Sequence, residues 1–422
     1  MNIEKVIELF LARNYVIEGK AGENLNTIAV GPPGAGKTFS NFLMEILKNV
    51  DKKCSFIIDD KKGSLKKKTS VFFRKKGYIV KVFDMVHFNG NLKYNPFASI
   101  RTREDIMKIV NYLLPNDKRT TDQFWVETSR MLLICIIELG KNLYGNKFNF
   151  QQFFELLDKV RVETDVRGKR EDDEISIILS NERKNGKVYG AIEEYEQLRN
   201  SADDTWKSIV ISTRASVSAY RSPELLDCMS YSNFNFEEMA TKKVILYVIS
   251  SDTDTSIYPL IQLLYSDITD QLFRYADFQC EHNGDMLPQH VRFYIDDFAS
   301  GVRQEHFENV IANARSRNIS YFLNFQSIAQ LKSIYRESAE TIMDCADYKV
   351  FYSSSSLSTL EYLSKLCNAP LWDVQKMDKS KVWIVQRGCA PQMLERNNTM
   401  DQDEYKMCME LRNEMECRTR SK

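Results

Sequence analysis

The chain has 422 residues, of which 43 % are hydrophobic and 27 % charged, proportions ordinary for a folded globular protein with room for two or three domains. Its 58 basic and 58 acidic side chains cancel, which excludes a global field that gathers nucleic acid; such binding has to come from local patches or from a pore lined by one face. The 9 cysteines are scattered, with no C-x-x-C pair and no histidine at ligand spacing, so reduced thiols in a cytoplasmic protein are expected and a zinc site is not.

Residues 1–10 are amphipathic, with Glu4, Lys5 and Glu8 among them, and make no signal peptide. The apolar run 27–30 predicts a strand, and residues 39–47 predict a helix. Between them lies Gly31-Pro32-Pro33-Gly34-Ala35-Gly36-Lys37-Thr38, a complete G-x-x-x-x-G-K-T loop. Its glycines let the backbone curl so that successive N–H groups and the helix N-terminus face an anion. Lys37 is expected to reach the β- and γ-phosphates of ATP, and the Thr38 hydroxyl to take a position on Mg²⁺. A glycine-rich turn without a ligand is the bland alternative; correct flanks on both sides argue against it.

Residues 55–58 predict a second strand, ending in Asp59 and Asp60, and residues 78–83 a third. Between these two strands Lys61, Lys62, Lys66, Lys67, Lys68, Arg74, Lys75 and Lys76 form a basic cluster with Phe72 and Phe73 inside it. Such a stripe is either a solvated face or a non-specific contact to nucleic-acid phosphates. From about 102 to 239 the periodicity is helical, with segments at 105–114, 124–139, 150–160 and 206–220 and no convincing strand. Phe124, Trp125 and Trp206 in this region are expected to be core, and the charged stretch 161–187, interrupted by Gly168, is expected to be largely loop. The longest apolar runs, 131–137 and 244–249, fall far short of the roughly 20 residues that span a bilayer.

Strands return at 243–250, 291–295, 320–325, 348–352 and 381–385, alternating with helical segments that include 259–275, 305–314 and 358–366. The fold class is therefore α/β, a mostly parallel sheet with an all-α insertion. The expected division is 1–101 and 240–394 for the nucleotide-binding domain, 102–239 for the insertion, and 395–422 for a charged tail. That tail is expected to form a helix from about 402 to 417 and has no readable role.

The run 291–295 ends in Asp296 and Asp297. A buried strand ending in a carboxylate is what a phosphate-loop ATPase needs opposite its threonine. Asp296 is expected to hold the metal, directly or through water, and Asp297 to polarise the attacking water, unless one of them only caps the next helix. Many ATPases carry Glu at the position of Asp297, and the shorter side chain leaves slow turnover or a water-relayed base open. Arg315 and Arg317 close the following helix, and Gln326 ends the next strand, where an arginine finger and a γ-phosphate sensor would sit; a solvated arginine is the plain alternative.

Three runs bring a resemblance into view: Asp296-Asp297-Phe298-Ala299, then Ala314-Arg315-Ser316-Arg317-Asn318-Ile319-Ser320, then Gln326-Ser327-Ile328-Ala329-Gln330-Leu331-Lys332-Ser333-Ile334-Tyr335. Together with Asp60-Lys61-Lys62-Gly63, Tyr94-Asn95-Pro96-Phe97, Phe124-Trp125-Val126-Glu127, Arg387-Gly388 and Pro391, this order resembles the type IV secretion coupling proteins. These are the TraG/TraD-like conjugation ATPases of the FtsK/HerA translocase group. The resemblance implies a RecA-like P-loop domain with an inserted all-α domain, a homo-hexameric ring, and an ATPase that moves DNA, single-stranded and non-specific, or recruits relaxase–DNA substrates to a secretion channel. Lys37 and Thr38 match the Walker A lysine and metal ligand, Asp296 the Walker B aspartate, Arg315 the arginine finger ahead of Arg317, and Gln326 the motif glutamine. The family usually has N-terminal transmembrane helices, whereas this chain reaches its phosphate loop at Gly31. A soluble form, recruited to the inner face of the cell membrane by a channel or tether protein, is therefore expected. Two other readings stay open: a nucleotide-gated docking platform for secreted effectors with little turnover, and a HerA/FtsK-like motor outside conjugation.

Overall fold

The computed structural model describes residues 5–114, 123–162, 171–186, 190–251, 253–300 and 303–420. These fall into two compact units: Met1–Asn91, Asn235–Thr255 and Ile268–Lys422 make the first, and Leu92–Phe234 with Ser256–Asp267 the second.

The first unit opens with an antiparallel hairpin of β1 (Lys5–Ala12) and β2 (Tyr15–Lys20). Its main sheet is built from β3 (Thr27–Val30), β4 (Cys54–Asp59), β5 (Ile79–Asp84), β6 (Val244–Ile249), β7 (His290–Ile295), β8 (Ile319–Phe325), β9 (Tyr348–Tyr352), β10 (Lys381–Gln386) and β11 (Gln392–Glu395). These nine strands lie in the order β11-β10-β9-β3-β8-β7-β4-β6-β5. From β9 to β5 every pairing is parallel, while β10 runs antiparallel to both β9 and β11. Every residue of β3, β4, β6, β7 and β8 is buried, so these strands show no polar–apolar alternation and are mostly apolar, as parallel strands covered on both faces are. The register sets Val30 opposite Phe325, Ile295 opposite Leu323 and Ile58 opposite Tyr294. The carboxyl ends of β3, β8, β7 and β4 therefore share one edge, where the ligand crevice of an open α/β sheet forms.

One charged pair lies inside this layer. Arg292 Nε is 2.6 Å from Glu45 Oε1, and neither side chain touches solvent. The guanidinium also donates to Leu25 O at 2.7 Å, Ser320 Oγ at 2.8 Å and Thr27 Oγ1 at 3.0 Å, and Tyr294 Oη donates to Glu45 Oε1 at 2.9 Å. Burial pushes the Glu45 carboxyl above its ordinary range, and Arg292 opposes the shift. The pair joins the helix after the phosphate loop, Met44–Lys48, to β7 and to the start of β3. Phe42, Tyr294 and Phe322 pack around it edge to face.

The second unit is helical: Arg103–Leu113, Gln123–Tyr144, Phe150–Lys159, Glu174–Lys184, Gly190–Arg199, Asp203–Ser216 and Pro223–Cys228, with no strand among its described residues. The long helix Gln123–Tyr144 is central, packing on Arg103–Leu113, Phe150–Lys159, Gly190–Arg199 and Asp203–Ser216. Trp206 is buried edge-on to Tyr195, as expected of core, and Trp125 is half-buried; Phe124 departs from that expectation and is exposed.

The strands differ from the sequence expectation by a residue or so at their ends, but two features were not anticipated: the β1–β2 hairpin and β11, whose short segments mix polar and apolar residues without a clean period. The stretch 161–187 is corrected. Residues 163–170 and 187 lie outside the described set, yet Glu174–Lys184 is a helix, because Asp173 accepts from Ser176 N at 2.8 Å as its N-cap and Ile175 and Leu179 are buried on one face. The tail does form a helix, Asp403–Arg420. Among the described residues no helix is long and apolar enough to cross a membrane.

Removing one partner of the Glu45–Arg292 pair strands a buried charge. Glu45→Ala or Arg292→Ala alone is expected to lower unfolding free energy by about 3–5 kcal/mol, and Glu45→Leu with Arg292→Met by less than the sum of the single losses. Urea unfolding of the set checks this; additive losses would show that the pair does not act as a unit.

Candidate active site

β3 delivers the chain to the phosphate loop, and the ladder continues one residue further, with Gly31 N donating to Phe325 O at 3.2 Å. Gly34 and Gly36 have φ of 77° and 90°, values an L side chain rarely adopts. A Cβ on Gly31 would lie 2.6 Å from Tyr352 Cβ on β9. Tyr352 cannot retreat, since its hydroxyl is bonded to Asn41, whose amide in turn donates to Phe10 O at 3.0 Å and Leu11 O at 3.1 Å. The helix that follows starts in π geometry over Thr38–Leu43 before it becomes regular.

Within the loop, Lys37 folds back, donating to Gly31 O at 2.5 Å and Pro32 O at 3.2 Å. It is buried, and burial lowers its pKa while Asp296 and Asp297 act to raise it. The lysine thus lies in an enclosed place with only neutral carbonyls as direct partners, an arrangement ready to accept phosphate oxygens.

Thr38 Oγ1 donates to Asp296 Oδ2 at 2.7 Å, so the ends of β3 and β7 meet across β8. The other oxygen, Asp296 Oδ1, accepts from Asn324 Nδ2 at 3.3 Å and from Asp297 N at 3.2 Å. Asp297 has φ of 50°, a left-handed conformation that costs a non-glycine residue about 1 kcal/mol or more. Two bonds hold the turn in place: Phe298 N donates to Asn324 O and Ser300 N to Asp297 O, each at 2.8 Å. Gln326 Nε2 donates to Asp297 Oδ1 at 3.4 Å, and Gln326 N is tied to Gln330 Oε1 at 3.0 Å.

The structure therefore brings together Lys37, Thr38, Asp296, Asp297 and Gln326. It does not bring Arg315 to them. Arg315 lies just before the first residue of β8, whereas the site lies past the last, and a strand of 7 residues separates the two edges by roughly 20 Å. The Arg315 side chain is exposed and has no partner among the described residues. Arg317 is different: its guanidinium is bidentate to Asp277 at 2.7 and 3.0 Å and stacks on Phe273.

Three residues of the site were not assigned from sequence. Asn324, the penultimate residue of β8, is buried and orients Asp296; a lone amide in the run Ile319–Phe325 was the available signal. Asp59 ends β4 beside β7, and burial, the largest influence, pushes its carboxyl up to about 7 against the pull of Lys61, with Asp296 adding to the rise. Arg396 donates from Nη1 to Ala35 O in the loop at 3.1 Å, a contact no local pattern announces. Asp60 turns out to cap the helix Ser64–Lys75, accepting from Leu65 N at 2.9 Å and Lys66 N at 2.7 Å. On that helix Phe72 and Phe73 are core, and Lys67, Arg74 and Lys75 are exposed.

A parallel sheet whose adjacent strand ends carry a glycine-rich loop with Lys37 and Thr38, an Asp296 bonded to that threonine, and Gln326 defines a P-loop protein of RecA-like fold. The chain belongs to the type IV secretory system conjugative DNA transfer family, whose sequence profile matches residues 4–380. Its fold is similar to that of the bacterial conjugative coupling protein TrwBdeltaN70 in an unbound form, at TM-score 0.67 and 14 % identity over 94 % of this chain and 90 % of that one. It is also similar to the plasmid coupling protein TrwB in complex with ADP and Mg²⁺, at TM-score 0.62 and 15 % identity over 89 % and 86 %. VirB4 of Thermoanaerobacter pseudethanolicus is a third, at TM-score 0.61 and 13 % identity over 96 % and 100 %. No curated protein matches the chain in sequence.

Because Gly31 packs against β9 with no space for a methyl group, Gly31→Ala is expected to cost about 1–3 kcal/mol of stability even without ligand. Urea denaturation measures it, and an unchanged midpoint would mean that the loop and β9 separate freely.

Proposed function

We propose that this chain is a coupling ATPase of a conjugative type IV secretion system, binding ATP with Mg²⁺ at residues 31–38 and using its hydrolysis to move DNA or a relaxase–DNA substrate toward the secretion channel. The observation that carries this reading is the 2.7 Å bond between Thr38 Oγ1 and Asp296 Oδ2, which joins the two halves of the site without a ligand. The backbone N–H groups of the loop bind the phosphates, and Lys37 exchanges the carbonyls of Gly31 and Pro32 for phosphate oxygens. The site suits magnesium: one hydroxyl and one carboxylate oxygen converge, and no cage of three or more His, Cys, Asp or Glu side chains is present among the described residues, so phosphate and water oxygens would complete the shell. Thr38 and Asp296 would hold that ion, which when bound neutralises charge between the β- and γ-phosphates. Asp297 orients the attacking water and takes up its proton, and Gln326 keeps that carboxylate in place.

Arg315 serves a neighbouring subunit. Its position at the far edge of its own sheet and its lack of a side-chain partner among the described residues support a contribution in trans, hence a ring, which the family resemblance puts at six subunits. Arg317 is occupied by Asp277 and is not the finger. Lys67, Arg74 and Lys75 are exposed on one helix and suit non-specific phosphate contacts to single-stranded DNA. The helical unit, with exposed Phe124, recruits the transferred substrate, and a tether protein brings the chain to the inner face of the cell membrane.

Lys37→Ala is expected to reduce DNA-stimulated phosphate release at least about a hundred-fold; stimulation at the wild-type level in that variant would sink the proposal. A second reading, a nucleotide-gated docking platform, draws on Asp297, a short carboxylate in a left-handed turn bonded to Gln326. Asp297→Glu separates the two: the motor is expected to change its stimulated rate by less than about ten-fold, and a larger gain would favour a platform with attenuated turnover.

A further inference from the structure

The chain beyond β11 lies outside the family match, which ends at residue 380, and its sequence suggested no role. In the structure it forms a strap over the phosphate loop. Arg396 N donates to Ser380 O at 2.8 Å, Asn397 Nδ2 to Phe10 O at 2.8 Å, and Thr399 Oγ1 to Phe39 O at 2.6 Å. The helix Asp403–Arg420 then sets Tyr405 edge-on to Phe39, pairs Glu404 with Lys48 at 2.8 Å, and buries Cys408 and Leu411 in the core of the first unit. Asn397 and Thr399 are themselves buried. The segment is anchored on both sides of Arg396: before it Arg13 N of the hairpin turn donates to Glu395 O at 2.8 Å, and after it Asn397 and Thr399 reach the hairpin and the loop's own helix.

These anchors deliver one guanidinium to the loop. Arg396 Nη1 donates to Ala35 O at 3.1 Å and lies 3.2 Å from where a Cβ on Gly36 would stand. The side chain is otherwise exposed, and no carboxylate lies within ion-pair distance of it among the described residues. The neighbouring Glu395 is engaged by Arg13 at 2.9 Å. An arginine fork carries five N–H donors, and here only Nη1 is engaged, by a backbone carbonyl. A fixed, uncompensated cation against a loop whose backbone is shaped for a polyanion is an unfinished site. We infer that Arg396 is a nucleotide contact supplied by the same subunit: it binds the phosphate chain of the nucleoside di- or triphosphate held at residues 31–38, and the strap is part of the nucleotide site. It is distinct from Arg315, which lies at the opposite edge of the sheet. The strap continues into a helix packed on the basic helix Ser64–Lys75.

The inference rests on the nucleotide-binding reading above, and calorimetric titration of the full chain with ATP and with ADP, both with Mg²⁺, tests the two separately. Arg396→Ala is expected to weaken both nucleotides about ten-fold or more and to shrink the nucleotide-induced rise in Tm, while the Tm of the ligand-free protein stays at the wild-type value. Arg396→Lys, which keeps the charge and loses the fork, is expected to fall between the two. Wild-type affinity in Arg396→Ala, with Lys37→Ala unable to bind, would overturn the role of Arg396 and leave the nucleotide site standing. A ligand-free Tm lowered in Arg396→Ala, with Arg396→Lys binding as wild type, would reduce the arginine to a structural brace of the loop and overturn the inference. If the wild-type chain bound neither nucleotide, both readings would fall together.

Discussion

The arrangement of this active site depends on a charge pair that never meets solvent. Arg292 projects from β7 two backbone hydrogen-bonding steps before the catalytic turn, and its guanidinium takes hold of Glu45 on the phosphate-loop helix and of Leu25 and Thr27 at the start of β3. Those three places are the supports of the lysine, the threonine and the aspartate that have to converge. A buried pair of this kind contributes little net stability, because taking both charges out of water costs about as much as their attraction returns. Its value is positional. A hydrophobic substitute would let the helix slide along the sheet, whereas a guanidinium with four fixed acceptors tolerates one register.

With that register set, the chemistry is concentrated at one edge. Parallel strands present their carboxyl ends together, so β3, β8, β7 and β4 place the phosphate loop, Gln326, Asp296 and Asp59 in a row. The strained residue is Asp297, held at positive φ by the amides of Phe298 and Ser300 on either side of the turn. Gln326 Nε2 donates to its carboxylate at 3.4 Å, so both backbone and side chain of Asp297 are held.

The same sheet keeps Arg315 away from the phosphate loop of its own subunit. Its finger candidate sits at the amino edge of β8 and its phosphates at the carboxyl edge, and a strand is stiff. In the ring proposed above, a second copy turned so that its amino edge faces the first copy's loop would unite them. Within a subunit two cations lie against the phosphate loop, Lys37 on Gly31 O and, from the C-terminal strap, Arg396 on Ala35 O.

How much of this was legible in the sequence follows from how local each signal is. The phosphate loop, the strand ending in Asp296 and Asp297, and the central strands could be read directly, because each is a contiguous run whose composition is dictated by burial or by backbone curl. The hairpin β1–β2 and the edge strand β11 were not, since short strands at an edge carry no clean alternation. The helix Glu174–Lys184 was hidden by its charges, and its cap, Asp173, became meaningful only once Ile175 and Leu179 had a face to bury. Arg317 ranked behind Arg315 only by resemblance, and it was tertiary packing that brought Asp277 to it across 40 residues of sequence. By itself, then, the sequence determined the ligand chemistry: a loop for phosphates, a threonine and an aspartate for a hard cation, and a doubly covered parallel sheet to carry them. Only the tertiary structure decided which arginine is free, which carboxylate is oriented by Asn324, and that residue 396 returns to a loop some 360 positions earlier, at Ala35. The physical reason is that backbone conformation and burial are written in neighbouring residues, whereas the partner of a long charged side chain is set by whichever element the fold packs against it.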